Sequence, residues 1–364
     1  MKYYIIAGEA SGDLHGSNLI KELYKKDPSA DIRCWGGDRM QQAGATLVKH
    51  YRDLAFMGFV EVIKHLGTIF DNLKFCKQDI LAFKPDILVL IDYPGFNMRI
   101  AEWAKKEGIK IVYYISPQVW AWKENRVKKI KRDVDKMLVI LPFEKEFYDR
   151  WDYKVTYVGH PLIQVIEEEK RIPVQPLSDK PIIALLPGSR KQEIQLKLPE
   201  MLKMVKHFPG YQFVVAQAPS QPAALYKELV GNENVLLAES QTYNILKQAK
   251  AALVTSGTAT LETALFAVPQ VVCYKGNQVS YLLAKKLIKV KYISLVNLIM
   301  DKPVIPELIQ ADLNEGKLIE ALGRALNDQT YISQLKADYA KLWSSLGTEN
   351  ASEKAASEIF ALVS

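Results

Sequence analysis

Short apolar runs alternate with amphipathic stretches along most of the chain. The runs at 3–7 (YYIIA), 87–91 (ILVLI), 111–115 (IVYYI), 137–141 (MLVIL) and 155–158 (VTYV) are rich in β-branched or aromatic residues and are bounded by Gly, Pro or Asp. Nearly continuous apolarity, without clean alternation, predicts parallel strands covered on both faces. Between them apolar positions recur at helical spacing, as at Leu19, Leu23 and Tyr24. This βαβα rhythm predicts a doubly wound α/β domain. Residues 167–181 (EEEKRIPVQPLSDKP) break it with a charge run and three prolines, the composition of a linker. The rhythm resumes at 182–186 (IIALL), 212–216 (QFVVA), 234–237 (NVLL), 251–255 (AALVT) and 270–274 (QVVCY). The expected architecture is α/β: two Rossmann-like doubly wound domains, 1–170 and 180–340, facing a central cleft. Residues 341–364 are expected to form a C-terminal helix with Leu342, Ala355, Ile359 and Leu362 on its apolar side. Ligand loops then fall at the carboxyl ends of the strands.

Composition adds limits. A length of 364 residues suits two cores better than one. With 49% hydrophobic and 24% charged residues the chain is globular. Cys34, Cys76 and Cys273 are far apart and form no CxxC pair, so neither a disulfide framework nor a zinc site is expected, and a reducing, cytoplasmic compartment fits. The first apolar stretch is too short for a signal peptide, and no run of about 18 apolar residues exists to span a bilayer. The net charge of +7 admits nucleic acid, an anionic membrane or phosphorylated substrates. Its densest cluster, Lys123, Arg126, Lys128, Lys129, Lys131 and Arg132, follows Trp120 and Trp122. No nucleic-acid reader motif accompanies it, so nucleic acid is not expected. A solvated helix face and a membrane-facing patch both remain open.

Four strand-to-helix turns are candidates for chemistry. Gly8–Gly16 (GEASGDLHG) opens a helix after the first strand, and Ser11 and Gly12 there either present N–H groups to an anion or form only a tight turn with Ser11 or Asp13 as helix cap. Its glycine spacing is not the dinucleotide fingerprint. Asp92 ends an apolar strand, where it is either a general base with a raised pKa or a turn-capping residue before Pro94. Gly188, Ser189 and Arg190 join a strand to a helical pattern starting near Gln192, which suits a diphosphate. Ser256, Gly257 and Thr258 make a similar turn, with Glu262 one helical turn on, in reach of a ribose diol or as part of an imperfect capping box. Asp133-Val134-Asp135 precedes a strand instead of ending one, and no metal site is expected there. Residues 56–81 carry Phe59, Ile63, Leu66, Phe70 and Leu73 at helical spacing, widened by Val60. That stripe is either a buried core helix or, with Val60, Ile63, Phe70, Trp120 and Trp122, a lipid-facing surface.

Taken together these motifs resemble the lipid-A-disaccharide synthases. The matching stretches are AGEASGD (7–13), FMGFVEV (56–62), KPDILVLIDYPGFN (84–97), YYISPQVWAWKENRVKKI (113–130), LPFEKEFY (141–148), VGHP (158–161), LLPGSRKQEI (185–194), TSGTATLE (255–262) and YISLVNL (292–298). The resemblance implies a GT-B fold and an inverting glycosyltransferase that needs neither metal nor cofactor. The implied substrates are UDP-2,3-diacylglucosamine and 2,3-diacylglucosamine 1-phosphate, and the implied place is the cytoplasmic face of the inner membrane, as a peripheral protein and a possible homodimer. It assigns Asp92 as base, Arg190 to the diphosphate and Asn297 to the second domain's site. The family's second Asp in the 84–97 stretch is Gly95 here. Two rivals share parts of the pattern: a UDP-GlcNAc 2-epimerase-like isomerase and a non-catalytic sugar-nucleotide-binding regulator.

Overall fold

The computed structural model describes residues 1–54, 66–278, 281, 290–347 and 349–364. They form two compact units, Met1–Pro161 with Thr348–Ser364, and Leu162–Gly347.

The first unit is built on seven parallel strands: β1 (Lys2–Ala7), β2 (Asp31–Gly36), β3 (Thr46–His50), β4 (Ile87–Ile91), β5 (Lys110–Tyr114), β6 (Lys136–Val139) and β7 (Thr156–Tyr157). Their order is β3-β2-β1-β4-β5-β6-β7. β4 is buried end to end and β1 from Tyr3 to Ala7, which is why their sequences show no alternation. β2 and β3 were not expected. Both lie toward one edge of the sheet, and charged or polar residues (Asp31, Arg33, Lys49, His50) interrupt their apolar pattern. A polar lock ties the helix Leu66–Phe83 to this sheet: Asp79 accepts from Tyr4 Oη at 2.6 Å and from Arg33 at 2.6 Å, while the Trp35 indole donates to Tyr4 Oη at 2.9 Å. That helix buries Leu73, Cys76, Ile80 and Phe83 and leaves Phe70 and Leu81 exposed.

The second unit has six parallel strands: β8 (Ile182–Leu186), β9 (Gln212–Gln217), β10 (Val235–Glu239), β11 (Ala249–Thr255), β12 (Gln270–Tyr274) and β13 (Glu307–Ile309), in the order β10-β9-β8-β11-β12-β13. β13, only three residues long, carries too little pattern to be read from sequence.

The division between the units differs from the expected linker. The helix Leu162–Arg171 runs into the 167–181 segment and buries Leu162, Ile163, Val165 and Ile166 in the second unit, so Glu167 and Glu168 are its exposed end and no tether. The prolines follow as a strap whose backbone is held by Asn244 and Gln248, through Gln175 N–H to Asn244 Oδ1 at 3.0 Å and Leu177 N–H to Gln248 Oε1 at 3.2 Å. The expected single helix over 341–364 is two. Leu342 belongs to the helix Gln329–Ser345 of the second unit. Ala355 and Ile359 belong to the helix Ala351–Val363, which packs on the helix Ala10–Lys26 of the first.

Candidate functional site

In each sheet the strand order reverses between two central neighbours, β1 and β4 in one unit, β8 and β11 in the other. Connections leave such a pair toward opposite faces and open a crevice at the carboxyl ends of the strands.

In the first unit Asp92 stands directly after β4. Asp92 and Tyr93 both take left-handed backbone conformations, φ +43° and +48°, costly for residues with a Cβ. Neighbouring groups hold the turn in place. Asp92 O accepts from Tyr113 Oη at 2.6 Å and from Asn97 Nδ2 at 2.8 Å, Asp92 N–H donates to Tyr114 O at 3.2 Å, and Pro94 starts the next helix. The Tyr93 ring lies over Gly8, where a Cβ would overlap it, and stacks on Phe96 at 5.7 Å. Burial, aided by the negative charge of Glu9, raises the Asp92 carboxyl to about 7, against a smaller lowering by the Tyr93 N–H. A carboxylate so tuned shares a proton readily near neutral pH.

The rest of this edge sorts into exposed and structural groups. Ser11 is exposed in the first turn of the helix Ala10–Lys26, and Gly12 lets that helix approach β1, since a Cβ there would stand 3.0 Å from Ala7 Cβ. Asp13 caps the next helix, Asp38–Gln42, by accepting from Gly37 N–H at 2.8 Å, Met40 N–H at 3.0 Å and Arg39 N–H at 3.2 Å. His15 and His160 are buried in mutual electrostatic reach. Burial lowers them to about 4 and about 3, so both imidazoles are neutral at pH 7.

Glu144, which sequence reasoning passed over, is fully enclosed and raised to about 7 by that burial. Its carboxylate accepts from Leu141 N–H at 2.9 Å, Ile140 N–H at 3.2 Å and the Trp120 indole at 3.3 Å. Trp120 is therefore a core residue, 8% exposed, and not the surface aromatic expected beside Trp122. Trp122 is 40% exposed and lies under Lys123 and Arg126, at 4.3 and 5.3 Å from its ring centre. Phe70 is 62% exposed. Val60 and Ile63 lie outside the described residues. Asp133 is paired with Arg132 at 2.6 Å, and Asp135 with Lys105 and the Ile111 N–H, so neither is presented to a ligand.

In the second unit the turn after β8 presents Gly188 at φ +118°, exposed Ser189 and Arg190, which caps the helix Lys191–Leu202. The positive φ favours glycine. Ser189 O is held by Gln221 Nε2 at 3.1 Å and Ser220 Oγ at 3.2 Å. Arg190 is 55% exposed and 3.6 Å from Glu193. After β11, Ser256 Oγ donates to Ile293 O at 2.7 Å, Gly257 has φ +139°, and exposed Thr258 begins the helix Thr258–Leu265. Both turns occupy the carboxyl ends of adjacent strands. Glu262 forms no capping box. It accepts from Tyr243 Oη at 2.8 Å, and burial raises its pKa. Asn297 stands apart from these turns in its bonding: Nδ2 donates to Ile305 O and Glu307 Oε1, both at 2.9 Å, and Oδ1 accepts from Ile305 N–H at 3.0 Å. Its amide ties together the chain around Ser294–Glu307.

The sequence profile of the family described as lipid-A-disaccharide synthetase matches residues 3–360. The lipid-A-disaccharide synthase of Geobacter metallireducens is 39% identical, over 97% of this chain and 94% of that protein. Lipid-A-disaccharide synthase 1 of Legionella pneumophila (strain Paris) is 38% identical, over 95% of this chain and 94% of its own length. Among solved structures, the glycosyltransferase of kitacinnamycin superposes with a TM-score of 0.69 at 14% identity, covering 100% of this chain and 99% of that one. UDP-GlcNAc 2-epimerase from Neisseria meningitidis superposes with a TM-score of 0.67 at 12% identity, with the same coverage. At such identities the structural likeness speaks for the fold alone, which transferases and epimerases share.

Proposed function

The chain belongs to the lipid-A-disaccharide synthase family, and from that premise we propose that it transfers 2,3-diacylglucosamine from UDP to 2,3-diacylglucosamine 1-phosphate with Asp92 as the base. It is a glycosyltransferase of lipid A biosynthesis. The observation that carries the role of Asp92 is its carboxyl at the end of β4, raised to about 7 on a backbone fixed by Asn97 and Tyr113.

As base, Asp92 takes the proton of the acceptor's 6-hydroxyl while that oxygen attacks the anomeric carbon. The bond to the UDP oxygen breaks on the opposite face, which inverts the anomeric centre and leaves a β-1,6 linkage. Arg190 and the backbone N–H groups at the start of the helix Lys191–Leu202 receive the charge that develops on UDP. Ser256, Gly257 and Thr258 line the donor side next to them, and Glu262 approaches the ribose diol. Ser11 and Gly12 serve the acceptor side, at the opening turn of the helix after β1. With the diphosphate charge met in this way, the reaction is expected to survive EDTA.

No helix among the described residues is long and apolar enough to cross a membrane. Phe70, Trp122 and the basic residues after it suit peripheral attachment to an anionic leaflet on the inner face, where the lipid substrates would be met.

The test is UDP release from UDP-2,3-diacylglucosamine in detergent, with and without diacylglucosamine 1-phosphate, in EDTA. Release that needs the acceptor is the expected result. Release of UDP from UDP-GlcNAc with no acceptor, or epimerisation of UDP-GlcNAc, would overturn the substrate assignment.

A further inference from the structure

The second unit holds a buried cation that the reading above leaves unused. Lys197 lies in the second turn of the helix Lys191–Leu202, and it is 3% exposed. Helical side chains lean back toward the amino end, and that direction carries its ammonium toward the turn Gly188–Arg190. There Nζ donates to Thr255 Oγ1 at the end of β11, itself buried, and stands 5.6 Å from the ring centre of Tyr274 at the end of β12. The amino group is thus at the carboxyl edge of the sheet, beside the two turns that flank the β8/β11 crevice.

An ammonium carries three donors. Among the described residues its acceptor is the neutral Thr255 hydroxyl. Glu193 is close enough to act on it electrostatically but makes its ion pair with Arg190. Glu200, on the same helix, is paired with Lys203 and Lys275. A buried cation on one neutral acceptor is an expensive arrangement, and burial lowers the Lys197 pKa accordingly. Packing alone would be served as well by a methionine of similar volume. The Glu193 carboxylate, which lies against Gly188 and pairs with Arg190, is within electrostatic reach but does not bond the ammonium among the described residues. Two donors of Lys197 therefore stay open toward an anion at the Gly188 turn and helix start.

We infer that Lys197 is a binding residue for the donor's diphosphate, holding a phosphate oxygen from beneath the turn Gly188–Arg190. The inference rests on the second unit being the UDP-sugar unit. Arg190 then grips the diphosphate from its exposed side and Lys197 from the buried side, while Thr255 Oγ1 aims the ammonium.

The experiment compares UDP with uridine, which lacks the phosphates, as ligands of the full-length protein and of Lys197→Met, by calorimetry with competition for the weaker ligand. Charge-assisted contacts of this kind are worth about tenfold or more in affinity. The expected result is a loss of about tenfold or more for UDP, with uridine changed by less than about twofold. Lys197→Gln reads the same ratio should the methionine variant fail to fold. Equal losses for both ligands, or no loss for UDP, would overturn the assignment while leaving the donor unit intact. Failure of the parent protein to bind UDP would instead bring down the donor-unit reading, and the Lys197 assignment with it.

Discussion

The two switch-point crevices arise from similar topology and carry opposite chemistry. At the β1/β4 edge the polar groups are acids and neutral imidazoles: Glu9, Asp92, His15 and His160. At the β8/β11 edge cations, hydroxyls and glycine turns predominate (Arg190, Lys197, Thr255, Ser256, Gly188 and Gly257), with Glu193 paired to Arg190. Burial acts on both and produces different outcomes. Next to Glu9 it raises a carboxylate toward neutrality, which suits the base we propose. Around Lys197 it leaves a cation short of acceptors, which suits the anion contact we infer. A parallel sheet therefore supplies a place for chemistry without choosing which chemistry. A few side chains at strand ends make the choice.

The sharpest way to break this contrast is to neutralise one side and look for an effect on the other. Asp92→Asn keeps the turn, whose hydrogen bonds run through the Asp92 backbone, and removes the proposed base. Turnover is expected to fall roughly 10²–10⁴-fold with UDP affinity unchanged. A variant that turns over at the parent rate would remove Asp92 from the mechanism. On the other side, Arg190→Ala is expected to weaken UDP binding about 10- to 100-fold, with Arg190→Lys recovering part of the loss as a point charge. Loss of turnover with no change in UDP affinity would move Arg190 away from the diphosphate.

The acid side also predicts two pH effects of smaller size. Since the base must be ionised, kcat/KM is expected to rise about tenfold per pH unit below an inflection near 7 and to level off above it. Glu9→Gln removes a neighbouring negative charge and is expected to shift that inflection downward. An inflection that stays in place in Glu9→Gln would mean that another group titrates. For stability, a carboxyl whose folded pKa lies above its unfolded one contributes fully below the unfolded value of 3.8, and its contribution declines as pH rises toward about 7. Asp92→Asn is therefore expected to melt higher than the parent at pH 8, by at most on the order of 4 kcal/mol in stability, and no higher at pH 3.5. Equal melting temperatures at pH 8 would show that Asp92 is not held against its ionised form.

Much of this contrast is legible in the sequence, and the rest depends on packing across distance. Asp92 could be read because ILVLI before it marks a fully buried strand and Pro94 fixes the helix that follows. Gly188–Arg190 could be read for the same reason, as a turn between IIALL and a helix. Lys197 and Glu144 could not, since their burial is made by β11 and by the Trp120 segment, remote in the chain. Asp13 reads as a cap of its own helix, and its three acceptor bonds to Gly37, Arg39 and Met40 show that it caps a different one, brought near only by the fold. The charged run at 167–170 looks like a linker because the end of an amphipathic helix and a tether share the same composition. Trp120 and Trp122, two residues apart, have opposite fates because one indole meets a buried carboxylate and the other meets two surface cations.

The gentlest test of the comparison concerns the membrane, since the exposed aromatics and the basic cluster singled out here all belong to the first unit. Each basic residue near an anionic leaflet contributes about 1 kcal/mol, roughly fivefold in binding, and an inserted aromatic adds an apolar anchor. Trp122→Ala and Arg126→Gln are each expected to weaken binding to vesicles containing phosphatidylglycerol by a few-fold, and Phe70→Ser likewise, measured by co-sedimentation at fixed ionic strength. Raising the salt should diminish the effect of Arg126→Gln and preserve that of Phe70→Ser, because screening weakens ionic attraction and leaves apolar burial in place. UDP affinity, which we propose belongs to the other unit, should not move in any of the three. If vesicle binding is unchanged in all of them while Lys-to-Gln changes in the second unit abolish it, the lipid-facing side has been assigned to the wrong half of the molecule.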